Sequence, residues 1–242
     1  MRKLKNVLRA SSCCAFSILM YLPAAGQNAW SEADCVTLLD STSVTVQPNG
    51  SGSFAVYKSF KVQTPKGAVN NHVIKYDYDP LTAFARFKQV TVQRANGETM
   101  QVDVTKTCDY AAPARAIYWG ARQIMLELGR LEPGDVVSYE ISKKGFTYAL
   151  LAGAEDDDAR FIPPMRGQFY DIVPFWVNEP TRRKVYVVSM PMEKELQFQF
   201  YNGACTSSMR YEDGRKVYTF AVDEVLPFRK AVSYTHLRAH ET

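Results

Sequence analysis

The stretch VTVQPNGSGSFAV, from Val44 to Val56, contains a turn that decides the fold class. Apolar and polar residues alternate on both sides of Asn49-Gly50, and side chains two residues apart lie on one face of a β-strand. Asn-Gly tolerates the positive φ angles that tight hairpin turns require. The stretch therefore predicts two antiparallel strands, each with one buried face.

The same pattern recurs on both sides of this hairpin, from Val36 to Phe228. Asn96-Gly97 and Asp213-Gly214 predict two more hairpins, and Pro133-Gly134 predicts a fourth. Many short strands normally bury their apolar faces by stacking two sheets or closing a barrel. We predict an all-β fold, an antiparallel two-sheet sandwich with few or no helices outside the N-terminal leader.

Two segments carry weak helical signals. They are Leu81–Phe87 and Ala121–Leu128, both without convincing caps, and the second is equally good as a strand.

Aromatic residues indicate where the core lies. Leu196, Phe198 and Phe200 alternate with glutamines, so we expect all three between the sheets. Tyr118-Trp119 and Phe175-Trp176 also favour the core, because large aromatic side chains bury the most area. The alternative is an exposed aromatic platform for a sugar ring or a peptide.

The N-terminus has the plan of a secretory signal peptide. Residues 1–26 contain four basic residues and no acid, and an apolar stretch from Ala15 to Leu22 follows the charges. Small residues at Ala24-Ala25-Gly26 predict cleavage before Gln27. Cys13 and Cys14 lack the preceding apolar stretch that a lipoprotein signal has. We therefore expect an exported protein, either periplasmic or at the cell surface or secreted.

The C-terminal residues 232–242 read VSYTHLRAHET and resemble a translated sequencing adapter. We treat them as a non-native tail. The predicted organisation is a signal peptide over 1–26, a linker over 27–35, a β-sandwich domain over 36–231 with a candidate subdomain seam at 153–166, and the tail over 232–242.

Charge argues against a nucleic-acid partner, and hydropathy argues against a membrane-spanning segment in the mature chain. Basic and acidic residues number 24 each between Gln27 and Ala231, and a nucleic-acid-binding protein needs a basic surface to displace counterions from phosphates. No apolar run after the signal approaches the ~20 residues of a membrane-spanning helix. We expect no nucleic acid as partner and no transmembrane segment in the mature chain.

Three cysteines remain after the predicted cleavage, namely Cys35, Cys108 and Cys205. In an oxidising compartment one pair could form a disulfide and leave a free thiol. The alternative is that each cysteine packs as a small apolar side chain. Their wide separations match no metal-binding spacing.

Few residues qualify for chemistry. A cysteine or serine nucleophile needs a base, and His72 is the one histidine outside the tail. His236 and His240 have the spacing of zinc ligands on a helix but lack the glutamate of that motif. The acidic run Glu155–Asp158 offers oxygen ligands to calcium, although four adjacent acids are more typical of a solvated loop. We predict no catalytic, cofactor-binding or metal-binding residue, and no cofactor.

Four fragments, in order, resemble one family. They are LLDSTSVTVQPNGSGSFAVYKSFKVQTPKG from Leu38, VTVQRANGETMQVDV from Val90, LEPGDVVSYEI from Leu131, and FYDIVPFWVNEP from Phe169. Together they resemble the bacterial domain of unknown function 3857, a β domain found N-terminal to transglutaminase-like cores in exported proteins. The strongest mark is the Leu-Glu-Pro-Gly-Asp turn, Leu131 to Asp135.

The resemblance implies a noncatalytic accessory module that contacts a transglutaminase-like, papain-like cysteine core further along the same polypeptide. No such core is present in the sequence, so we expect the natural gene to continue and the chain itself not to be an enzyme. The alternative is a free-standing adhesin or a carbohydrate- or peptide-binding module. A hydrolase would need His72 within hydrogen-bonding reach of a nucleophile.

Overall fold

The computed structural model describes residues 29–112, 120–147, 167–201 and 203–227. Several predictions lie outside the described residues: the signal peptide, the seam at 153–166, the acidic run Glu155–Asp158, Tyr118-Trp119, and the tail with His236 and His240.

Within the described residues the chain is built mainly from strands. They are β1 Cys35–Val46, β2 Gly52–Val62, β3 Val73–Tyr78, β4 Ala83–Gln93, β5 Thr99–Gln101, β6 Cys108–Ala111, β7 Arg122–Glu127, β8 Val136–Gly145, β9 Thr181–Pro191, β10 Thr206–Glu212 and β11 Arg215–Val225. A short helix, α1 Pro65–Asn70, and a 3₁₀ turn, Val104–Lys106, interrupt them.

The strands form two sheets, which confirms the all-β two-sheet prediction. The large sheet has the order β10-β11-β9-β1-β2-β8-β4-β5, and the small sheet has the order β3-β7-β6. One pair differs from the antiparallel expectation, because β1 and β9 run parallel. The amide of Thr37 donates to the carbonyl of Pro180 at 2.9 Å, so the chain enters β9 at the end of the sheet where β1 also starts.

Three of the four predicted hairpin turns are confirmed. Gly50 and Gly97 both have φ of +90°, and Asp213 and Gly214 have φ of +50° and +69° between β10 and β11. Pro133-Gly134 does form a turn, but the prediction of a hairpin there is wrong. The turn connects β7 of the small sheet to β8 of the large sheet.

Both weak helical signals belong to strands, β4 and β7. The observed helix α1 went unpredicted. Its N-cap is Thr64, whose hydroxyl accepts a hydrogen bond from the amide of Gly67 at 3.0 Å. Six residues are too few to show a helical repeat in the sequence.

Two hydrophobic cores lie on the same face of the large sheet, which we call the inner face. The first core joins β2, β4 and β8 to the small sheet and includes Val137 and Ile141. The second core covers β1, β9 and β11 and includes Val44, Val188 and Phe220. Described residues without strand assignment also pack on the second core, from two segments, 168–177 and the described parts of 194–205. The small sheet therefore covers one part of the inner face, and these segments cover another.

The prediction that Leu196, Phe198 and Phe200 all lie in the core is wrong for the two phenylalanines. Leu196 packs on the second core, but Phe198 is 51% exposed and Phe200 is 40% exposed. Their rings contact Phe220 on one side, at centroid distances of 4.9 and 6.0 Å. No second sheet of the described residues covers this segment where it packs on Phe220 of β11, so both rings stay partly open to solvent.

Candidate functional surface

His72 lies in the connection between α1 and β3. Its Nδ1 is 2.5 Å from the carbonyl oxygen of Val69, and its own carbonyl accepts from the amide of Leu128 at 2.8 Å. The ring borders a shallow surface groove of about 850 Å³ together with Val69, Leu131 and Pro133. These contacts hold the α1–β3 connection against the small sheet, so the role of His72 here is structural.

Cys35 is fully buried in the first core. Its Sγ accepts a hydrogen bond from the Asn71 side-chain amide at 3.2 Å. Burial, followed by the charges of Glu179 and Asp34, raises the pKa of the Cys35 thiol to about 11. The thiol is therefore protonated at neutral pH, whereas the thiolate is the nucleophilic form of cysteine.

The other two cysteines lie at separate places, and all three are free thiols. Cys108 is exposed on β6, and Cys205 is partly buried against the second core. The sequence left open whether two of these cysteines form a disulfide, and in the structure they do not. Packing as a small apolar side chain describes Cys35 and Cys205 but not Cys108.

The Leu131–Asp135 turn, the strongest family mark, is built around a buried carboxylate. Asp135 is 2% exposed, and its Oδ2 accepts from Arg94 Nη1 at 2.6 Å and from the amide of Glu132 at 2.8 Å. Its backbone carbonyl accepts from the amide of Val62 at 2.9 Å. The turn therefore connects the ends of β2 and β4 to the start of β8.

A second carboxylate, Asp171, anchors the segment 168–177. It accepts from the hydroxyl of Tyr186 at 2.6 Å, from the hydroxyl of Thr147 at 2.8 Å and from the amide of Ile172 at 2.9 Å. Burial and the Asp171 charge raise the pKa of Tyr186 above its usual range. The Asp in the fragment FYDIVPFWVNEP thus attaches an irregular segment to β9.

Charged side chains also lie on the inner face of the large sheet. Lys184 Nζ pairs with Asp40 Oδ2 at 2.8 Å across β9 and β1. Lys143 Nζ lies 4.5 Å from the centre of the Phe54 ring, and burial lowers the pKa of this lysine. Within the described ranges, no three His, Cys, Asp or Glu side chains are grouped as metal ligands.

The outer side of the segment 168–177 is apolar and exposed. Phe175 packs on the second core as predicted, but Trp176 is 61% exposed, which corrects the core prediction for this residue. Tyr170 and Ile172 are exposed beside it. Residues 168–177 alternate like a strand, with Phe169, Asp171, Val173 and Phe175 on the less exposed side. We call Tyr170, Ile172 and Trp176 the outer strip.

The residues that organise these features, Asp135 and Asp171, were not singled out from the sequence. Their signal lay in two of the four family fragments, LEPGDVVSYEI for Asp135 and FYDIVPFWVNEP for Asp171. Neither residue belongs to a motif of known chemistry, so charge and spacing gave no reason to select it.

No helix among the described residues is both long and apolar enough to cross a membrane.

Fold and geometry together define a two-sheet β module whose buried polar groups hold turns and segments in place. The chain belongs to the family described as a domain of unknown function with solved structure, DUF3857, whose model matches residues 48–229. This match confirms the resemblance drawn from the four sequence fragments.

One solved structure shares the fold at low sequence identity, and two others match with lower TM-scores. A "putative protease" from Parabacteroides distasonis matches with a TM-score of 0.62 and 12% identity, over 82% of this chain and 37% of that protein. An M1 zinc metallopeptidase from Deinococcus radiodurans matches with a TM-score of 0.38 and 15% identity, over 78% of this chain and 39% of the other. A "putative nutrient binding protein" from Legionella pneumophila matches with a TM-score of 0.37 and 11% identity, over 83% and 66% of the two chains. No curated protein matches the sequence significantly.

Proposed function

We propose that the chain is a noncatalytic, exported β module, the accessory domain of a longer envelope protein with a transglutaminase-like core. The observation that carries this proposal is the extent of the fold match. The fold extends over 82% of this chain but only 37% of the Parabacteroides protein, so the module corresponds to one part of a larger protein there. That protein is described as a "putative protease", and we assign any such chemistry to the part of it outside the shared module.

Two features of the described residues support an accessory role. Cys35 is buried and protonated, and His72 contacts backbone carbonyl and amide groups of its own fold. The outer strip, Tyr170, Ile172 and Trp176, leaves apolar area in contact with water. Exposed apolar surface of this kind is typical of interaction sites. We assign the outer strip to the contact with the core.

Fluorescence quenching of Trp176 tests this contact. In the variants of both proteins, every tryptophan except Trp176 is replaced by phenylalanine; in the present chain these changes are Trp30→Phe and Trp119→Phe. We expect acrylamide to quench it efficiently in the present chain and several-fold less efficiently in the proposed longer protein. Equal quenching in both would contradict the contact. Ile172→Ser in the longer protein, which should restore quenching, is the matched variant.

A second candidate is a free-standing carbohydrate- or peptide-binding module, favoured by the same exposed Trp176. Aromatic rings stack on sugars and peptides when they are open to solvent. Titration of the purified chain with polysaccharide fragments and with peptides distinguishes the two candidates. Binding that disappears in Trp176→Ala, with Tyr57→Ala as a control at another exposed aromatic residue, would favour the binding module.

A further inference from the structure

Strand β10 forms one edge of the large sheet and is open to solvent. Among the described strands it pairs with β11 alone, and all seven of its residues are exposed. Its outer edge therefore presents the unpaired backbone N–H and C=O groups with which another strand forms hydrogen bonds.

The usual protections of a sheet edge are weak at β10. The opposite edge of the same sheet, β5, has only three residues, whereas β10 has seven and contains no proline. Its two charged residues, Arg210 and Glu212, are paired with each other at 2.7 Å. Met209 and Tyr211, on the inner face, are 47% and 63% exposed.

We propose that β10 pairs with β10 of a second copy of this chain, antiparallel, about a two-fold axis through Met209. Copies related by a two-fold axis present the same patch to each other, so each contact occurs twice. This register pairs all seven residues of the strand. Met209 faces its own copy, Ser207 faces Tyr211, and Thr206 faces Glu212. The proposal is independent of the accessory role.

Aromatic packing favours a second copy as the occupant. Ser207 lies opposite Phe220 in the β10–β11 ladder, and Phe220 contacts the exposed rings of Phe198 and Phe200. The register above places Tyr211 of the second copy opposite Ser207, on the same face as these rings. Tyr211 of each copy thereby lies on the same face as the partly exposed Phe198–Phe200 pair of the other, one strand beyond Phe220.

Charge and side-chain direction favour this register over its neighbours. Arg210 faces Ser208 and Glu212 faces Thr206, so no two like charges lie directly opposite each other. A two-fold axis through Arg210 would instead place two arginines face to face. If the two β10 strands paired with a register slipped by one residue, Met209 and Tyr211 of the second copy would point to the opposite face from the aromatic rings of the first.

Sedimentation equilibrium of the purified chain, over low to high micromolar concentration, tests the proposal. We expect a concentration-dependent dimer in the wild type and at least about a tenfold rise of the dimer dissociation constant in Met209→Lys, because a lysine at the axis puts two like charges together. Met100→Lys is the matched control, since Met100 is an exposed methionine on β5 at the opposite edge. It should leave the dissociation constant unchanged.

Cross-linking tests the register itself. In a background where every cysteine except buried Cys35 is serine, Met209→Cys should form a disulfide-linked dimer on oxidation, because directly opposed Cα atoms lie roughly 4.5–5.5 Å apart, within disulfide range. Thr206→Cys, which faces Glu212 in the proposed register, should not. A strictly monomeric wild type, a dimer insensitive to Met209→Lys, or equal cross-linking at both positions would overturn the proposal.

Discussion

Asp135 shows how a single carboxylate determines the geometry of the most recognisable turn in the chain. It is nearly inaccessible to water, and it bonds the guanidinium of Arg94 and the amide of Glu132. Breaking a buried ion pair by removing one partner leaves an uncompensated charge and an unsatisfied donor. The turn residue of the family motif thus contributes to stability.

Asp135→Asn should lower the free energy of unfolding by about 2 kcal/mol or more. The roughly 3–5 kcal/mol of a fully buried pair is the upper limit, since the Arg94 side chain remains 29% exposed. Urea unfolding measures the change. Glu132→Gln, which removes an exposed charge paired with Arg130 in the same turn, should change stability by less than about 0.5 kcal/mol. Equal small losses in both variants would contradict the structural role of Asp135.

The thiols differ in burial, and their reactivity should follow. We expect a thiol reagent to label exposed Cys108 in the native chain and to label buried Cys35 only after unfolding. Mass spectrometry of the labelled peptides measures this order. Rapid labelling of Cys35 in the native state, before Cys108, would show that its environment activates the thiol.

The stability contributed by Cys35 should also depend on pH. Its native pKa of about 11 exceeds the ordinary value of 9.0, so the native state holds the proton more tightly than the unfolded state. The contribution is complete below pH 9 and is lost as the pH rises towards 11. Relative to Cys35→Ala, the wild type should lose between roughly 1 and 3 kcal/mol across this range. Cys108→Ala is the control, and its free energy of unfolding should change with pH in the same way as that of the wild type.

At the scale of elements, strand alternation and turn chemistry predicted much of the fold. The Asn-Gly and Asp-Gly turns need positive φ, which few residues tolerate, so three hairpins could be read from local sequence. The parallel pairing of β1 with β9 could not, because it joins strands separated by most of the chain. The exposure of Phe198 could not either, since alternation indicates which side chains share a face but not what covers that face.

Comparing Phe198 with Phe220 tests this account of the segment Leu196–Phe200. Phe220→Ala should cost about 3–5 kcal/mol, because the ring is buried in the second core. Phe198→Ala should cost markedly less, since half of the side chain is already in water. Gln197→Ala, its exposed neighbour, should change stability little. Equal costs for Phe198→Ala and Phe220→Ala would show that Phe198 is buried in solution.

At the scale of the whole molecule, the N-terminal sequence predicts export. Residues 1–26 combine basic charge, an apolar stretch and small residues before Gln27, and we expect the exported product to begin at Gln27. Intact-mass measurement after expression with export gives the N-terminus directly. A product that retains Met1–Gly26 would contradict the prediction.

A noncatalytic role is the central proposal, and it is argued from where the candidate residues lie. Several candidate site residues that the sequence offered lie outside the described residues, and Cys35 and His72 are held by contacts within the fold. Cys108 is exposed on β6, away from buried Cys35. The sequence argument for a noncatalytic chain is that a single histidine outside the tail leaves few ways to activate a nucleophile. It could not predict which polar residues would serve the fold instead, because Asp135 and Asp171 acquire their partners only through tertiary contacts.

Turnover of peptide and amine-transfer substrates by the purified chain tests the central claim most directly. The wild type should be measured beside His72→Ala and separate alanine variants of Cys35, Cys108 and Cys205. The account predicts no turnover in any of these chains. It predicts turnover in the proposed longer protein, and the same substitutions should leave that turnover unchanged. Turnover by the present chain that disappears in His72→Ala and in one cysteine variant would contradict it.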